Sequence, residues 1–368
     1  MVTTGTLNDL AQSLAVSVAR SGQLITAAAV VMALGAPLLA ALVAGADRRR
    51  LLAWALLWYA GGHALAAAMP SFDTLLPMRA LSVLGAAVFT PQAAAAIGVM
   101  APPAYRGRAI TFVFLGWSLA SVLGMPLSAL VGEALGWRWA FGGVAVLAAL
   151  GAAWVWLALP DGVRPAALSR AGWRQALTHP ALVATVAVTA FSAAGQFTLL
   201  AYFAPYYRLV LGATASQISL LLLWFGALGV LGNVLIARRI DRLGAPRAVA
   251  LMLGCMALSL LLWPLGTSLW TMVGVSAPWA LGCFSSNSAQ QARLGLAAPA
   301  LAPALIALNS SALYLGQALG ASSGGAMIAS QGYGALHWVG LAWMLAALGL
   351  SVWAARRLQR QPVVGAHG

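Results

Sequence analysis

The sequence predicts an all-α membrane protein of about eleven transmembrane helices. Of its 368 residues, 62% are hydrophobic and only 7% are charged, whereas an ordinary soluble domain carries roughly 25% charged residues. Apolar runs of about 20 residues, the length needed to cross the hydrocarbon core of a bilayer, recur along the chain. Water is therefore excluded as the main solvent of this surface, and lipid is expected to surround most of the chain.

Each span is expected to be a helix, because backbone N–H and C=O groups in hydrocarbon must be hydrogen-bonded within their own segment. The apolar runs place the spans at 21–44, 51–69, 74–100, 109–132, 138–159, 180–204, 215–237, 247–266, 268–291, 303–329 and 335–355. A polar stretch separates two groups of spans. We therefore predict an N-terminal helical bundle over 1–159, a cytoplasmic linker over 160–179, a C-terminal six-helix bundle over 180–358 and a cytoplasmic tail over 359–368.

The distribution of arginine predicts the orientation of the spans, because positively charged loops remain in the cytoplasm during insertion. One alternating set of loops contains sixteen of the 20 basic residues, all of them arginine: Arg48, Arg49, Arg50, Arg106, Arg108, Arg164, Arg170, Arg174, Arg238, Arg239, Arg242, Arg247, Arg293, Arg356, Arg357 and Arg360. The other set contains only Arg20, Arg138 and Arg208. We therefore expect a bacterial-type inner membrane protein whose linker and C-terminus are cytoplasmic.

The composition argues against several other classes of function. The net charge is +14, but the arginines form short clusters between apolar runs and not one basic face, so no nucleic-acid partner is expected. Cys255 and Cys283 both lie in apolar runs without metal-ligand spacing, so no metal or cofactor is predicted. ATP-driven transport is disfavoured because no glycine-rich phosphate loop ending in lysine occurs. An enzyme is not expected, since neither His63 nor the serines have a recognisable catalytic partner.

Two similar loops indicate an internal duplication. Asp47-Arg48-Arg49-Arg50 follows the first span, and Asp241-Arg242-Leu243-Gly244-Ala245-Pro246-Arg247 recurs 194 residues later, after the span 215–237. With these loops the chain resembles the major facilitator superfamily, in which two six-helix halves each carry an acidic-basic loop after their second helix. The pattern departs from the family where Val43 and Ala237 replace the usual glycine, and where Arg49 replaces a glycine within the loop.

Further motifs extend the resemblance over nearly the whole chain. Arg79 with Gly85, Ala86 and Ala87 resembles the fourth-helix arginine motif of the family, and Gly116 to Gly132 with Gly124 and Pro126 resembles its fifth-helix antiporter motif. The segments similar to the sugar-efflux and drug:proton antiporter permeases are Gly136-Trp137-Arg138-Trp139-Ala140-Phe141, Tyr202 with Pro205, and Asn309 with Gly316 and Gly320. Outside the fifth helix, glycines four residues apart also favour close helix packing.

The resemblance implies two bundles with twelve helices in total, one more than the spans found here. Residues 1–20 contain neither an apolar run of spanning length nor a signal peptide. We interpret this as the absence of the family's first helix and expect a truncated gene model. An upstream in-frame apolar segment would support this interpretation, and start-codon mapping without one would contradict it.

Arg79 is the main candidate for a mechanistic residue, because an arginine inside an apolar span costs several kcal/mol and normally faces a polar partner or a water-filled cavity. The alternative is that Arg79 snorkels to the outer surface, since it lies near the start of its span, just after Pro77. The resemblance implies a role in proton or substrate coupling. His63 is the intramembrane histidine, and it either titrates or serves as a hydrogen-bonded packing residue. All six acidic residues lie in loops or near span ends, so no intramembrane carboxylate is predicted.

Polar and aromatic side chains at cavity positions are the candidate substrate contacts, although interhelical hydrogen bonds would explain many of them equally well. They are Gln196, Phe197, Tyr202, Asn287, Asn309, Tyr314 and Gln317. The candidate gating residues are Asp47, Arg48, Arg106, Arg108, Asp241, Arg242, Gly124 and Pro126. For Asp47 we expect either a solvated loop or a latch that binds the helix N-terminus at Pro303 together with Arg106 or Arg108.

These observations favour secondary active transport, with proton-coupled efflux of a small sugar-like, metabolite or drug-like compound by alternating access of two bundles. The expected partners are the small-molecule substrate, protons and the lipid bilayer. A uniporter or importer of a small metabolite, and a non-transporting membrane sensor or scaffold, remain alternatives. The oligomeric state and the substrate are left open by the sequence.

Overall fold

The computed structural model consists of α-helices joined by short connections, with no strand in the part it describes, which comprises residues 2–43, 45–100, 102, 106–164, 170–298 and 301–360. The chain divides into two compact units, Met1–Ala167 and Leu168–Gly368. The division falls inside the polar stretch 160–179.

The first unit contains eight described helices. Their bounds are α1 Val2–Gly5, α2 Leu7–Ser13, α3 Val18–Leu42, α4 Arg48–Ala68, α5 Phe72–Ser82, α6 Leu84–Met100, α7 Arg106–Leu135 and α8 Trp137–Ala158. Capping explains several of these limits. Asp47 caps α4, which ends at Ala68 because Met69 precedes a proline and is held in an extended conformation. Ser71 and Thr74 form a reciprocal capping box that starts α5.

The second unit also contains eight described α-helices. Their bounds are α9 Arg170–Thr178, α10 Pro180–Leu200, α11 Phe203–Leu211, α12 Ala215–Leu243, α13 Ala245–Leu262, α14 Leu269–Ala297, α15 Ala302–Gln331 and α16 Leu336–Arg360. A short 3-10 helix, Trp263–Leu265, follows α13. Ser268 and Thr271 start α14 with the same capping box that starts α5, which agrees with the inferred duplication.

The helices confirm the predicted fold class, and each predicted span overlaps a helix or a pair of consecutive helices. Nine helical segments of the described residues are long and apolar enough to cross a membrane. Residues 180–204 are not one straight span, because the chain breaks at Ala201 and Tyr202 between α10 and α11. Pro205 explains the break, since its ring removes an N–H donor and clashes with the carbonyl four residues earlier.

Large apolar side chains on the outer faces of both units confirm that lipid is the expected environment. Leu42 and Leu157 are about four-fifths exposed, and Trp270, in the first turn of α14, is 87% exposed. A soluble protein would bury such side chains, whereas hydrocarbon accepts them and the membrane interface favours tryptophan.

Glycine allows the two helices at the centre of the second unit to approach closely. Gly316, Gly320 and Gly324, four residues apart on α15, face the backbone of α10. A Cβ atom at Gly320 would lie 2.4 Å from the carbonyl oxygen of Ala194, and one at Gly316 would lie 2.2 Å from that of Ala190. Without a hydrophobic driving force between helices in lipid, such backbone contact supplies the packing energy.

We expect Gly320→Ala to destabilise the second unit by about 1–3 kcal/mol, because the added methyl group overpacks a backbone contact. Gly254→Ala on α13 is the matched control, since a Cβ there meets nothing within 4 Å, and alanine is the better helix former. Thermal unfolding of the detergent-solubilised variants measures both effects. Equal midpoints for the two variants would contradict the packing interpretation.

Candidate functional site

Arg79 lies on α5 with its side chain only 7% exposed. Its Nη1 donates to Nε2 of His63 at 2.9 Å and to Oγ of Ser82 at 3.5 Å, while the Ser82 hydroxyl donates to the Arg79 backbone carbonyl at 2.8 Å. The arginine therefore turns into the first unit and does not snorkel to the outer surface. Close approach of α4 and α5 makes this possible, since a Cβ at Gly62 would lie 2.5 Å from the Cβ of Ser82.

His63 is fully buried on α4, and both of its ring nitrogens are engaged. An arginine is always protonated and can only donate, so Nε2 of His63 must accept the hydrogen bond from Arg79. The ring proton is then on Nδ1, which lies 2.9 Å from the carbonyl oxygen of Tyr59 and donates to it. In this arrangement His63 is therefore a neutral hydrogen-bond acceptor. A neutral ring does not compensate the positive charge of Arg79.

Phe141 completes the surroundings of Arg79 from α8. Its ring centroid lies 5.9 Å from Cζ of Arg79 and 5.7 Å from the His63 ring, and Trp137 contacts it edge-on. Phe141 and Trp137 are almost completely buried. The sequence indicated these two aromatic residues only as parts of the Gly136–Phe141 motif. The position of Phe141 beside Arg79, with Trp137 behind it, became evident only from the packing of α8 against α4.

The acidic residues of the first unit make their described contacts elsewhere. Asp9 accepts a hydrogen bond from the backbone N–H of Trp137 and so caps α8 from another helix. Asp73 pairs with Arg20, and Asp161 pairs with Arg49, each at 2.8 Å. Glu133 is exposed on α7, and Asp47 caps α4. Among the described residues of this unit, therefore, Arg79 has no carboxylate partner.

Asp47 lies at a junction between the α3–α4 loop and the segment after α8. Its carboxylate accepts hydrogen bonds from the backbone N–H groups of Arg49 at 3.1 Å, Arg50 at 3.3 Å and Gly162 at 2.6 Å. Partial burial raises the pKa of Asp47, but these N–H groups and the charge of Arg164 outweigh that effect and leave the pKa below its ordinary value of 3.8.

The two arginines that follow Asp47 strengthen the same junction. Arg49 donates to the carbonyl oxygen of Trp156 at 2.7 Å, pairs with Asp161 and lies over the Trp156 ring at 4.9 Å. Arg48 is buried, its guanidinium donates to the carbonyl oxygens of Val43 and Ala46, and its backbone N–H donates to the carbonyl oxygen of Val163 at 3.0 Å. The Asp47–Arg50 loop therefore holds the first residues after α8 in place by direct hydrogen bonds. A loop that was only solvated would not make these contacts.

The second unit brings together two of the predicted amides. Nδ2 of Asn309 donates to Oδ1 of Asn287 at 3.2 Å, and the Thr189 hydroxyl donates to Oδ1 of Asn309. Gln290, one turn further along α14, donates to the backbone carbonyl of Thr185. These two sets of bonds join α10, α14 and α15, and we call the residues that make them the amide network.

Five further predicted contacts lie on α10 and α15 or at the break between α10 and α11. The Tyr202 hydroxyl donates to the carbonyl oxygen of Ala321 at 2.7 Å and so joins the α10–α11 break to α15. Gln196, Tyr314 and Gln317 are buried, and Phe197 is half-buried.

Part of the predicted gate lies outside what the structure describes. Arg106 and Arg108 begin α7, and Asp241 lies near the end of α12, but their side chains are not among the described ones. Arg242 is exposed. Pro126 is buried within a continuous α7, whereas a Cβ at Gly124 would meet nothing within 4 Å among the described residues.

Arg293 corrects one expectation. The sequence placed it in a basic loop, but α14 continues to Ala297, and Arg293 is 2% exposed within it. Its Nη1 and Nη2 donate to the hydroxyl and the carbonyl oxygen of Ser351 at 2.8 and 3.0 Å. Sequence hydropathy ended the span at residue 291 because Gln290, Gln291 and Arg293 follow one another closely. The partner on α16 that stabilises the buried guanidinium is not visible in the sequence.

We expect Asp47→Ala to destabilise the first unit by about 0.5–2 kcal/mol at neutral pH, because α4 loses its cap and Gly162 loses its acceptor. Asp47→Asn should cost less, since the amide oxygen still caps the helix. A lowered pKa means that the carboxylate contributes stability above pH 3.8 and loses that contribution as the pH falls through the lower folded value. Unfolding midpoints of the wild type and Asp47→Asn should therefore converge below pH 3.8, and a constant difference down to acid pH would contradict the assignment.

Comparison with known proteins identifies similar sequences and structures. The family model described as Major Facilitator Superfamily matches residues 1–214. The chain is 28% identical over 353 residues to the MFS-type transporter YbcL of Bacillus subtilis, covering 94% of this chain and 89% of that protein. It is 29% identical over 342 residues to the "Probable sugar efflux transporter" of Helicobacter pylori (strain G27), covering 93% and 88%.

A solved structure resembles the fold over almost its whole length. It is a bacterial homolog of the human lysosomal transporter Spinster, with a TM-score of 0.68 and 18% sequence identity, and the match covers 99% of this chain and 96% of that one. At this identity the likeness concerns the fold alone, and it confirms the predicted fold type.

Proposed function

Because the chain belongs to the Major Facilitator Superfamily and is a multi-pass membrane transporter, we propose that it exports a small molecule across the bacterial inner membrane in exchange for protons. The observation that carries the proposal is the buried Arg79 on an apolar helix of such a fold. A buried charge of this kind costs about 2.5 kcal/mol or more in a membrane span and is retained where it contacts cargo or ions. The similarity to a protein named as a sugar efflux transporter supports the outward direction.

The substrate pathway is proposed to use both units. Arg79 and His63 would serve it in the first unit, and the amide network, with Gln196, Phe197, Tyr202, Tyr314 and Gln317 nearby in sequence, would serve it in the second. Amides that bond to one another can exchange those bonds for a polar cargo at little cost, since each partner retains a hydrogen bond. Sugar-like compounds, metabolites and drug-like compounds all remain within this proposal.

The test is a substrate-panel efflux assay in everted vesicles, with and without an uncoupler. Proton-coupled export predicts that an imposed pH gradient drives accumulation of the substrate and that the uncoupler abolishes it. Flux that follows only the substrate gradient would indicate a uniporter instead. A sensor or scaffold would show no flux for any compound and would tolerate loss of the amide network.

We expect Arg79→Ala to lower transport at least about tenfold and to alter its pH dependence, because a guanidinium that contacts the moving species contributes more than about 1.4 kcal/mol. Arg20→Ala is the control, since Arg20 is an exposed arginine in a surface ion pair. Both variants must reach the membrane in equal amounts, as measured by immunoblotting. Unchanged transport and unchanged pH dependence in Arg79→Ala would remove the residue from the mechanism.

We also propose that the Asp47 loop is part of the cytoplasmic gate, with the C-terminus in the cytoplasm as the arginine distribution predicts. Asp47 would stabilise the outward-facing state through the helix N-terminus at Pro303 and through Arg106 or Arg108. A carboxylate in such a position contributes about 0.3–1 kcal/mol, and up to about 2 kcal/mol when partly buried. Asp47→Asn should therefore reduce disulfide crosslinking between cysteines introduced at the cytoplasmic helix ends. Crosslinking that is the same in both proteins would contradict the gate.

A further inference from the structure

Helix α9 is a short amphipathic helix that leads into the first long helix of the second unit. Its Ala176 is completely buried in a cluster that includes Ala304 of α15, and Trp173 packs against the same cluster. Arg174 and Leu177, three residues apart and therefore neighbours on the helix surface, are both exposed, Leu177 by 56%. One face of α9 thus holds the helix on the unit. The other presents a cation beside an apolar side chain, which is typical of a helix that lies at a membrane interface.

The last turns of α16 lie at the same end of the second unit as α9. Helices α10 and α16 run antiparallel: a Cβ at Gly340, near the start of α16, would lie 2.9 Å from Cδ1 of Leu199, near the end of α10, and the Phe191 and Trp343 rings meet further along. Because α9 leads directly into the start of α10, it lies near the end of α16. Leu358 agrees with this placement, since it packs against the buried cluster that also receives α9.

Three arginines form an exposed face at the end of α16. Arg356 and Arg357 are exposed, and so is Arg360, which follows them by four and three residues and therefore lies beside both. Like charges at this spacing destabilise a helix unless an anion lies between them. Cζ of Arg357 lies 5.5 Å from the centroid of the Trp353 ring, and Trp353 is 42% exposed. Exposed tryptophan favours the headgroup level of a bilayer, so we expect these guanidinium groups at the level of the lipid phosphates.

The four exposed arginines of α9 and α16, Arg174, Arg356, Arg357 and Arg360, are called the basic corner below. They belong to a part of the chain with a large excess of positive charge, since residues 168–368 contain eleven arginines and one acidic residue, Asp241. Arg293 holds α16 in place just before the basic corner, because its Nη1 and Nη2 donate to Ser351. The helices therefore present several cations from a fixed scaffold.

We propose that the basic corner binds the phosphate groups of anionic phospholipids of the surrounding bilayer. Guanidinium groups bind phosphate through paired hydrogen bonds, and clusters of four or more basic residues at the end of a membrane span attract anionic lipid. A lipid fits this surface better than a soluble phosphate compound does, because Leu177 and Trp353 give the cations an apolar flank that acyl chains can contact. The site is separate from the substrate pathway and does not depend on the compound that is transported.

The test is lipid binding by the purified full chain in non-ionic detergent, measured by native mass spectrometry. The probes are phosphatidylglycerol and phosphatidylcholine with the same acyl chains, in equal amounts. We expect phosphatidylglycerol to bind with an affinity at least about tenfold above that of phosphatidylcholine, because each arginine near an anionic headgroup contributes about fivefold. Added salt should reduce this difference, since exposed charges are screened. Glycerol 3-phosphate at the same concentration, which has the phosphate but no acyl chain, should not displace the lipid.

Arg356→Gln combined with Arg357→Gln should lower the affinity for phosphatidylglycerol at least about tenfold and leave that for phosphatidylcholine unchanged. Arg174→Gln alone should lower it about fivefold, which shows that α9 and α16 contribute to one site. Arg20→Gln combined with Arg138→Gln is the matched control, since it also removes two exposed arginines, but from the first unit. An unfolding midpoint equal to that of the wild type without added lipid shows that a variant is folded. If the double variant of α16 does not fold, Arg174→Gln decides.

Four outcomes would overturn the proposal. The first is equal affinity of the wild type for the two lipids, and the second is unchanged affinity for phosphatidylglycerol in the folded variants of the basic corner. The third is an equal loss in the control variant, which would indicate a general effect of net charge. The fourth is displacement of the lipid by glycerol 3-phosphate, which would indicate a site for a soluble phosphate compound.

Discussion

The structure depends on one constraint, which is that hydrocarbon offers no hydrogen-bond partner to a polar group. Backbone groups satisfy this constraint within helices, and both units accordingly contain several helices of 17 residues or more joined by short connections. The same constraint explains the caps. Helix α8 is preceded by Gly136, which has no side chain to cap it, and Asp9 on α2 supplies the acceptor instead. A terminus that lacks a local partner is thus stabilised by a tertiary one.

Polar side chains in the bundles also need hydrogen-bond partners from the protein, and the arginines illustrate this requirement. The buried guanidinium of Arg293 is held by a serine on another helix, and that of Arg79 by a histidine and a serine. In the basic loop, Arg49 combines an ion pair, a carbonyl acceptor and an aromatic face. Arg79 is buried on an apolar helix of the first unit, which is why it carries the functional argument.

Close packing makes these polar contacts possible, because a hydrogen bond between helices requires backbones that approach within a few ångströms. Glycine provides that approach at Gly62 beside Ser82 and along the α10–α15 contact. The Tyr202 hydroxyl reaches the Ala321 carbonyl in the same region. Small residues therefore act together with the polar ones, and neither group would stabilise the bundles alone.

The sequence by itself determined the helical spans, the polar stretch between two groups of helices, and Arg79 as a charged residue inside an apolar run. These features are visible in the sequence because hydropathy and charge are local properties of the chain. The tertiary structure decided the partners. Four contacts depend on how separate segments of the chain pack: His63 accepts from Arg79, Phe141 lies beside both, Asp47 reaches Gly162, and Arg293 is buried against Ser351. A pattern of residue types specifies which groups need partners in lipid, but only the packing of helices specifies which groups meet.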